Sequence, residues 1–278
     1  VSRRRSPARW AGQVVTTGGA LLVALSWAVP LGWLVLTALR PEQASVASSL
    51  VPHRLTLATL AAAWHAAPFG SYLRTTLIVA GSIVLLQTVT SCLAAYAFAR
   101  LHFPGRDVLF VLYLVQMLIP LPVLVTPATL LVRQLGLVNT RWAMVLPYVG
   151  SAMATFLLRQ HFRAIPPEYE DAARLDGASL WQVLWHVYLP LSRSAVAAFA
   201  LVSFSAHWDE FFWPLVVTSV DRVRPLSVGL ALFTQANEAG AAWQLIAAAT
   251  LLVVGPVLGL FVVLRRAFER GVLQSGLR

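Results

Sequence analysis

The chain of 278 residues is 58% hydrophobic and 12% charged, far from the soluble average of roughly 45–50% apolar and about 25% charged. That apolar excess cannot be hidden in a soluble core, which excludes a disordered tail, a secreted cysteine-stapled module and an ordinary cytosolic enzyme. The formal charge of +10 rests on 21 basic residues, all arginine, placed just outside apolar runs where anionic headgroups attract them, so it points to a membrane surface and not to nucleic acid.

A helix needs about 20 apolar residues to cross the bilayer core, and six stretches qualify, at 17–39, 75–99, 108–132, 142–158, 194–218 and 239–264. They do not alternate as barrel strands would. In chain order, residues 1–16 form a tail with Arg3, Arg4, Arg5 and Arg9. The first span outruns the core of a signal peptide and lacks an A-x-A-like end before Arg40-Pro41, so it is read as a retained crossing. The second span holds Gln87, expected to hydrogen-bond a neighbouring helix, and Cys92, the only cysteine and a small buried hydrophobe. A link at 100–107 turns at Pro104-Gly105.

The third span contains Gln116 followed by Pro120 and Pro122. Prolines free carbonyls within a span, and broken backbone of that kind lines a cavity, so Gln116 and Pro120 are assigned to the solute path. After a tight turn at 133–141 and the fourth span comes a long loop at 159–193. The fifth span carries Asp209 and Glu210, the only acids inside a span; such groups must face protein or water, so they either bond a neighbouring helix or, with Trp208, join the candidate solute path. The tryptophans at Trp10, Trp27, Trp33, Trp142, Trp208, Trp213 and Trp243 are read chiefly as interface belt or packing, with sugar stacking open for Trp208 and Trp213. Fourteen arginines fall on one side of this arrangement and seven on the other, which puts both termini and the 159–193 loop in the cytoplasm.

That loop reads as two short helices about a glycine. Pro167 suits a helix start, and Glu168, Glu170 and Asp171 in the first turn complement the positive helix end. Gly177 stops the first helix, Ser179 and Gln182 form an S-x-x-Q capping box for a second, and that one is expected to end before Leu189-Pro190. An element too short and polar to span, held by a span at each end, passes motion between a cytoplasmic partner and the membrane bundle.

Asp171-Ala172-Ala173, Asp176-Gly177-Ala178 and Val187-Tyr188-Leu189-Pro190 resemble the EAA loop of bacterial ABC-importer permeases, E-A-A-x-x-D-G-A followed by I-x-L-P, with Asp171 where Glu is usual. Further stretches resemble the carbohydrate branch, of the maltose-system type. They are Tyr96-Ala97-Phe98-Ala99-Arg100 with Phe103-Pro104-Gly105-Arg106, Gln116-Met117-Leu118-Ile119-Pro120, Leu135-Gly136-Leu137-Val138-Asn139-Thr140, Trp208-Asp209-Glu210-Phe211 and Arg270-Gly271-Val272-Leu273.

The resemblance implies an all-α polytopic membrane protein of six transmembrane helices, a single permease domain over 17–278 with its coupling loop at 163–192. Glu170, Asp171, Ala172, Ala173, Asp176, Gly177, Ala178, Leu189 and Pro190 would then couple to an ATPase. It also implies the partners: a second permease subunit in a heterodimer, two copies of a cytoplasmic ABC ATPase, and an extracytoplasmic solute-binding protein, all at the bacterial inner membrane. ATP and Mg would bind the ATPase and no cofactor this chain, which has no G-x-x-x-x-G-K-[ST] loop, no G-x-S-x-G and no metal-binding H-E-x-x-H. The function implied is uptake of a mono- or oligosaccharide by alternating access. The rival readings are an intramembrane enzyme built on His207, Asp209 and Glu210, and a proton-coupled secondary carrier.

Overall fold

A computed structural model describes residues 7–42, 54–238 and 242–275. Residues 1–6 of the expected tail, with Arg3, Arg4 and Arg5, lie outside the described residues, as do Arg278 and 239–241, where the sixth span was expected to start. Every regular element among the described residues is helical, as a chain must be where lipid offers the backbone no hydrogen bonds. Contacts divide the chain into two compact units, residues 1–67 with 232–254 and residues 68–231 with 255–278.

The first unit opens with α1 (Pro7–Ala38), along whose middle, from Leu21 to Val35, large apolar side chains are exposed, Leu22 by 71% and Trp27 by 72%. Only lipid or another chain can cover such a surface. At its end Thr59, on α2 (Ala58–Ala66), donates its hydroxyl to the Arg40 carbonyl.

The second unit is organised on α3 (Phe69–Arg100), 32 residues long and so about 48 Å at 1.5 Å per residue, more than a bilayer core requires. Next come α4 (Arg106–Val115), α5 (Leu121–Gln134), α6 (Arg141–Val145) and α7 (Ala152–Ala164). The coupling segment holds α8 (Glu168–Leu175), α9 (Leu180–Val183) and α10 (Leu189–Leu191), and is followed by α11 (Arg193–Trp208) and α12 (Phe212–Val217). The last helices, α13 (Leu226–Glu238) and α14 (Trp243–Ser275), run on across the unit boundaries. Both α7 and α11 pack along α3. Between α3 and α11 the buried Ser203 hydroxyl donates to Gln87 Oε1 at 2.7 Å, the interhelical bond expected of Gln87. Cys92 is buried and has no disulfide partner.

Among the described residues three helices are long and apolar enough to cross a membrane, or up to six segments if each of three bent pairs is one span, the last of these pairs joining 180–191 of the loop to α11 at 78°. The expected third span is not one helix: it bends by 101° between 106–118 and 122–134, where Pro120 and Pro122 remove backbone donors. The fourth bends by 44° after a 3-10 turn through Pro147, and restarts with the Ser151 side chain accepting from the Ala154 amide at 3.2 Å. The fifth was expected to run to residue 218, but α11 stops at Trp208 and α12 starts only at Phe212. Asp209 and Glu210 therefore lie in a break between helices. The coupling segment also differs at its end. A π-helical turn over Leu184–Tyr188 carries the helix through Leu189-Pro190 to Leu191, because the wider turn makes room for a proline that would clash with a regular one.

Candidate functional site

The 163–192 segment folds as an elbow fixed to the end of α3. Helix α8 ends in a Schellman motif: Gly177 takes a φ of +83°, its amide donates to the Arg174 carbonyl, and the Ala178 amide donates to the Ala173 carbonyl. Two residues on, the capping box closes in both directions, the Ser179 amide donating to Gln182 Oε1 at 2.7 Å and the Gln182 amide to Ser179 Oγ at 3.4 Å.

Glu170 is the hub. It is 7% exposed, and its Oε2 accepts from the Tyr188 hydroxyl at 2.6 Å while Oε1 accepts from Arg174 Nη2 at 2.6 Å. The Tyr96 hydroxyl lies 3.5 Å from Oε1 and Arg100 Nε 3.9 Å from Oε2. Arg100 in turn donates to the Phe162 carbonyl at 2.9 Å and to the Ile165 carbonyl, and its head lies 5.2 Å from the centre of the Tyr188 ring. The adjacent carboxylate of Glu170 holds the Arg174 guanidinium above its ordinary pKa. Beneath the hub Tyr96, Leu158, Phe162, Val183, Leu184 and Tyr188 form a buried cluster. The elbow is thus closed on itself by the Glu170–Tyr188 bond, set against Tyr96 and Arg100 of α3, and packed on Leu158 and Phe162 of α7.

Of the residues assigned to coupling, Asp171, Ala172, Asp176, Gly177 and Pro190 are exposed, Ala173, Ala178 and Leu189 are half-buried, and Glu170 faces inward. Consecutive helical residues stand about 100° apart, so one of the two neighbouring acids anchors the helix while the other meets solvent. Sequence reasoning missed two groups. The first is the apolar crest of Tyr169, Leu175 and Trp181, exposed by 54%, 90% and 61%; large apolar side chains in an otherwise polar loop were the available signal. The second is the set of anchors Tyr96, Arg100 and Tyr188. All three stand in segments that carried the family resemblance, yet nothing in the sequence says that they meet at Glu170.

The membrane part of the candidate site is less unified. Glu210 lines a cavity of about 10 Å³ with Tyr148 and His207, room for about one water. The Tyr148 and His207 rings meet edge to face at 4.8 Å, and His207 Nδ1 lies 2.7 Å from the Ser203 carbonyl. Glu210 Oε1 accepts from the Trp213 amide in the first turn of α12 at 3.3 Å, and its carbonyl accepts from Ser227 at 2.6 Å. Asp209 is exposed, whereas Trp208 is 3% and Trp213 2% exposed. Trp208 packs on Phe204, and the Trp213 indole donates to the Ala143 carbonyl at 2.9 Å, so neither ring offers a face to a sugar in this conformation. Gln116 and Pro120 are exposed at the bend of the third span and do not line the Glu210 cavity. Among the described residues no group of three His, Cys, Asp or Glu is placed to hold a metal ion.

Residues 87–274 match the family model described as binding-protein-dependent transport system inner membrane component. The chain is 31% identical over 218 residues to the sn-glycerol-3-phosphate transport system permease protein UgpE of Yersinia enterocolitica, covering 76% of this chain and 78% of that protein. To UgpE of Rhizobium meliloti it is 32% identical over 200 residues, covering 72% and 71%. In fold it is similar to a chain of a bacterial ABC transporter involved in the import of the acidic polysaccharide alginate, with a TM-score of 0.86 at 23% identity, over 96% of this chain and 100% of that one. A family match over most of the chain, relatives that align over most of their length and an all-helical fold agree: the chain belongs to the inner-membrane components of binding-protein-dependent transport systems, and is a permease subunit of an ABC importer.

Proposed function

We propose that this permease subunit imports a carbohydrate or polyol derivative by alternating access, and that the 163–192 elbow is where a separate ATP-hydrolysing subunit pushes on it. The observation that carries this reading is the construction of the elbow: an apolar crest of Tyr169, Leu175 and Trp181 on the outside, and on the inside a buried Glu170 whose carboxylate lies against Tyr96 and Arg100 at the end of α3. An exposed crest costs solvation unless a partner covers it. The inward tie passes the partner's displacement to the longest helix of its unit. Glu170 acts as anchor, with Asp171, Ala172, Ala173, Asp176, Gly177, Ala178, Leu189 and Pro190 shaping the docking knob.

The other parts follow the family pattern. Two ATPase copies, holding ATP and Mg, serve this chain and a second permease subunit, and the solute arrives on an extracytoplasmic binding protein. Residues 17–278 act as one permease domain behind a cytoplasmic tail at 1–16, with both termini inside. Gln116, Pro120, Trp208, Asp209 and Glu210 contribute to the solute path. The carbohydrate class is supported by the sn-glycerol-3-phosphate permeases and by the alginate importer of the same fold.

The test is photocross-linking from the crest. With p-benzoylphenylalanine in place of Leu175 or Trp181 in the full chain in its native membrane, the adduct is expected to contain an ATP-hydrolysing subunit. Adducts with lipid alone, or labelling of the same positions from outside intact cells, would overturn the reading.

A further inference from the structure

The end of α3 remote from the elbow borders a cleft of about 610 Å³, a size that suits a small ligand. Three arginines from three elements line it: Arg74 on the second turn of α3, Arg141 at the start of α6, and Arg222 in the 3-10 turn Asp221–Val223. Among the described residues none of the three has an ion pair or a hydrogen bond, and Arg141 Nε is enclosed without a partner. The neighbouring acid, Asp221, is already taken by Arg224 and by the Tyr72 hydroxyl. The three arginine side chains therefore line one open cleft without an acid paired to any of them among the described residues.

That arrangement is costly without an anion. The enclosed Arg141 nitrogen has lost its hydration with no hydrogen bond in return. The backbone beneath them is fixed. Asn139, in the left-handed region with a φ of 60°, accepts from the Ser219 amide at 2.6 Å and donates to the Ser219 hydroxyl at 2.9 Å, tying the α5–α6 turn to the segment after α12. Beside the arginines Trp142, 56% exposed, also lines the cleft. Planar guanidinium groups match the paired oxygens of phosphate and carboxylate, and an exposed indole presents an apolar face to a sugar ring.

We infer that this cleft receives an anionic carbohydrate, a sugar phosphate or a uronate, with Arg74, Arg141 and Arg222 on its acid group and Trp142 against its ring. The inference rests on reading the chain as a subunit of a carbohydrate importer, and narrows the solute to the acidic class.

The test uses the whole importer, purified through this chain with its partner subunits in phosphatidylcholine nanodiscs, and saturation-transfer NMR with glucuronate, glucose 6-phosphate and glucose as probes. At least one acidic probe should give about tenfold more transfer than glucose, the worth of one charge-assisted hydrogen bond. Replacing Arg74, Arg141 and Arg222 together by Gln should remove that preference. If the triple variant does not assemble, the exposed single variants Arg74→Gln and Arg222→Gln should each reduce it. Equal transfer from all three sugars, or a preference that survives the substitutions, would overturn the inference. A lipid headgroup could supply the same chemistry, so the measurement is repeated with phosphatidylglycerol in the nanodisc; loss of the sugar preference there would give the arginines to lipid and end the proposal. The two readings fail separately: if no ATP-hydrolysing subunit accompanies the chain the importer reading fails, whereas an active complex indifferent to charge refutes the anion site alone.

Discussion

Replacing Glu170 by Ala removes both the bond that closes the elbow on itself and the contacts with Tyr96 and Arg100 that set it against α3, without touching the exposed crest. The strongest interaction this breaks is the 2.6 Å bond from Tyr188, worth about 1.5–3 kcal/mol for a hydrogen bond to a charged group. The fully buried Tyr188 side chain is then left with a hydroxyl that has no acceptor. The Arg174 pair contributes little, because that side chain is 49% exposed and such pairs are worth about 0.2–1 kcal/mol. Arg100 keeps the Phe162 and Ile165 carbonyls and is not orphaned. The net loss is about 3 kcal/mol, so opening of the elbow becomes favoured by on the order of a hundredfold. Hydrogen exchange of amides 168–191 in the assembled importer should accelerate by that factor, and solute uptake should fall at least tenfold while ATP hydrolysis continues (roughly, for a lever whose closed form is populated that much less). Glu170→Gln, which keeps an acceptor for Tyr188, should cost about half as much. Tyr188→Phe in the Glu170→Ala background, where the acceptor is already gone, should add almost nothing to the cost of either change alone. Unchanged exchange in Glu170→Ala, or additive costs in the double variant, would refute the hub.

At Gly177 a Cβ would meet no atom within 4 Å, so the cost of substitution is backbone conformation alone. Uptake at equal membrane abundance should fall in the order Gly, Asn, Ala, Val, with Ala costing about 1 kcal/mol and the β-branched residue more; full uptake by Gly177→Val would refute the lever. Gln87→Ala and Ser203→Ala should each lower the thermal stability of the purified subunit by about 0.6–1.7 kcal/mol, and the pair together by no more than one of them; additive losses would show that the two do not act as a bond. A Cβ on Gly229 would lie 2.3 Å from the Tyr72 ring, so Gly229→Ala should cost about 1–3 kcal/mol by overpacking, checked by thermal unfolding and partly relieved by Tyr72→Ala. Asp209→Asn should raise the KM for uptake and leave ATPase coupling intact; an unchanged KM would remove Asp209 from the solute path.

The helical class and the elbow were legible because each follows from a local rule: unbroken apolar length for the spans, and a proline, a glycine and a capping box within sixteen residues for the elbow. The Gln87 bond was legible for a related reason, since an amide in lipid must find a neighbouring helix. The breaks at Pro147 and Asp209 were not. Apolar run length registers composition, and a helix can end inside an apolar run when a side chain such as that of Ser151 or Glu210 accepts the free amides of the next helix. Least legible were the Glu170 hub and the arginine cleft, because each joins residues more than sixty positions apart. The span assignment read from the sequence puts Arg74, Arg141 and Arg222 on one side of the membrane as an expectation, but does not say that they line one cleft.

The elbow and the cleft sit at opposite ends of the same helix, and that bears on how the subunit works. Tyr96 and Arg100 occupy the last two turns of α3 and meet Glu170, while Arg74 projects from its second turn into the cleft. Between them α3 has no proline, whereas the third and fourth crossings bend at their breaks. An unbroken helix packed against α7 and α11 resists local deformation, because its backbone hydrogen bonds would have to stretch. Under the proposed coupling, a push at Glu170 would be taken up as a tilt of the whole rod, and a tilt would move Arg74 relative to a ligand in the cleft. The bent crossings, with backbone groups freed at their breaks, are the segments able to change shape as the rod moves.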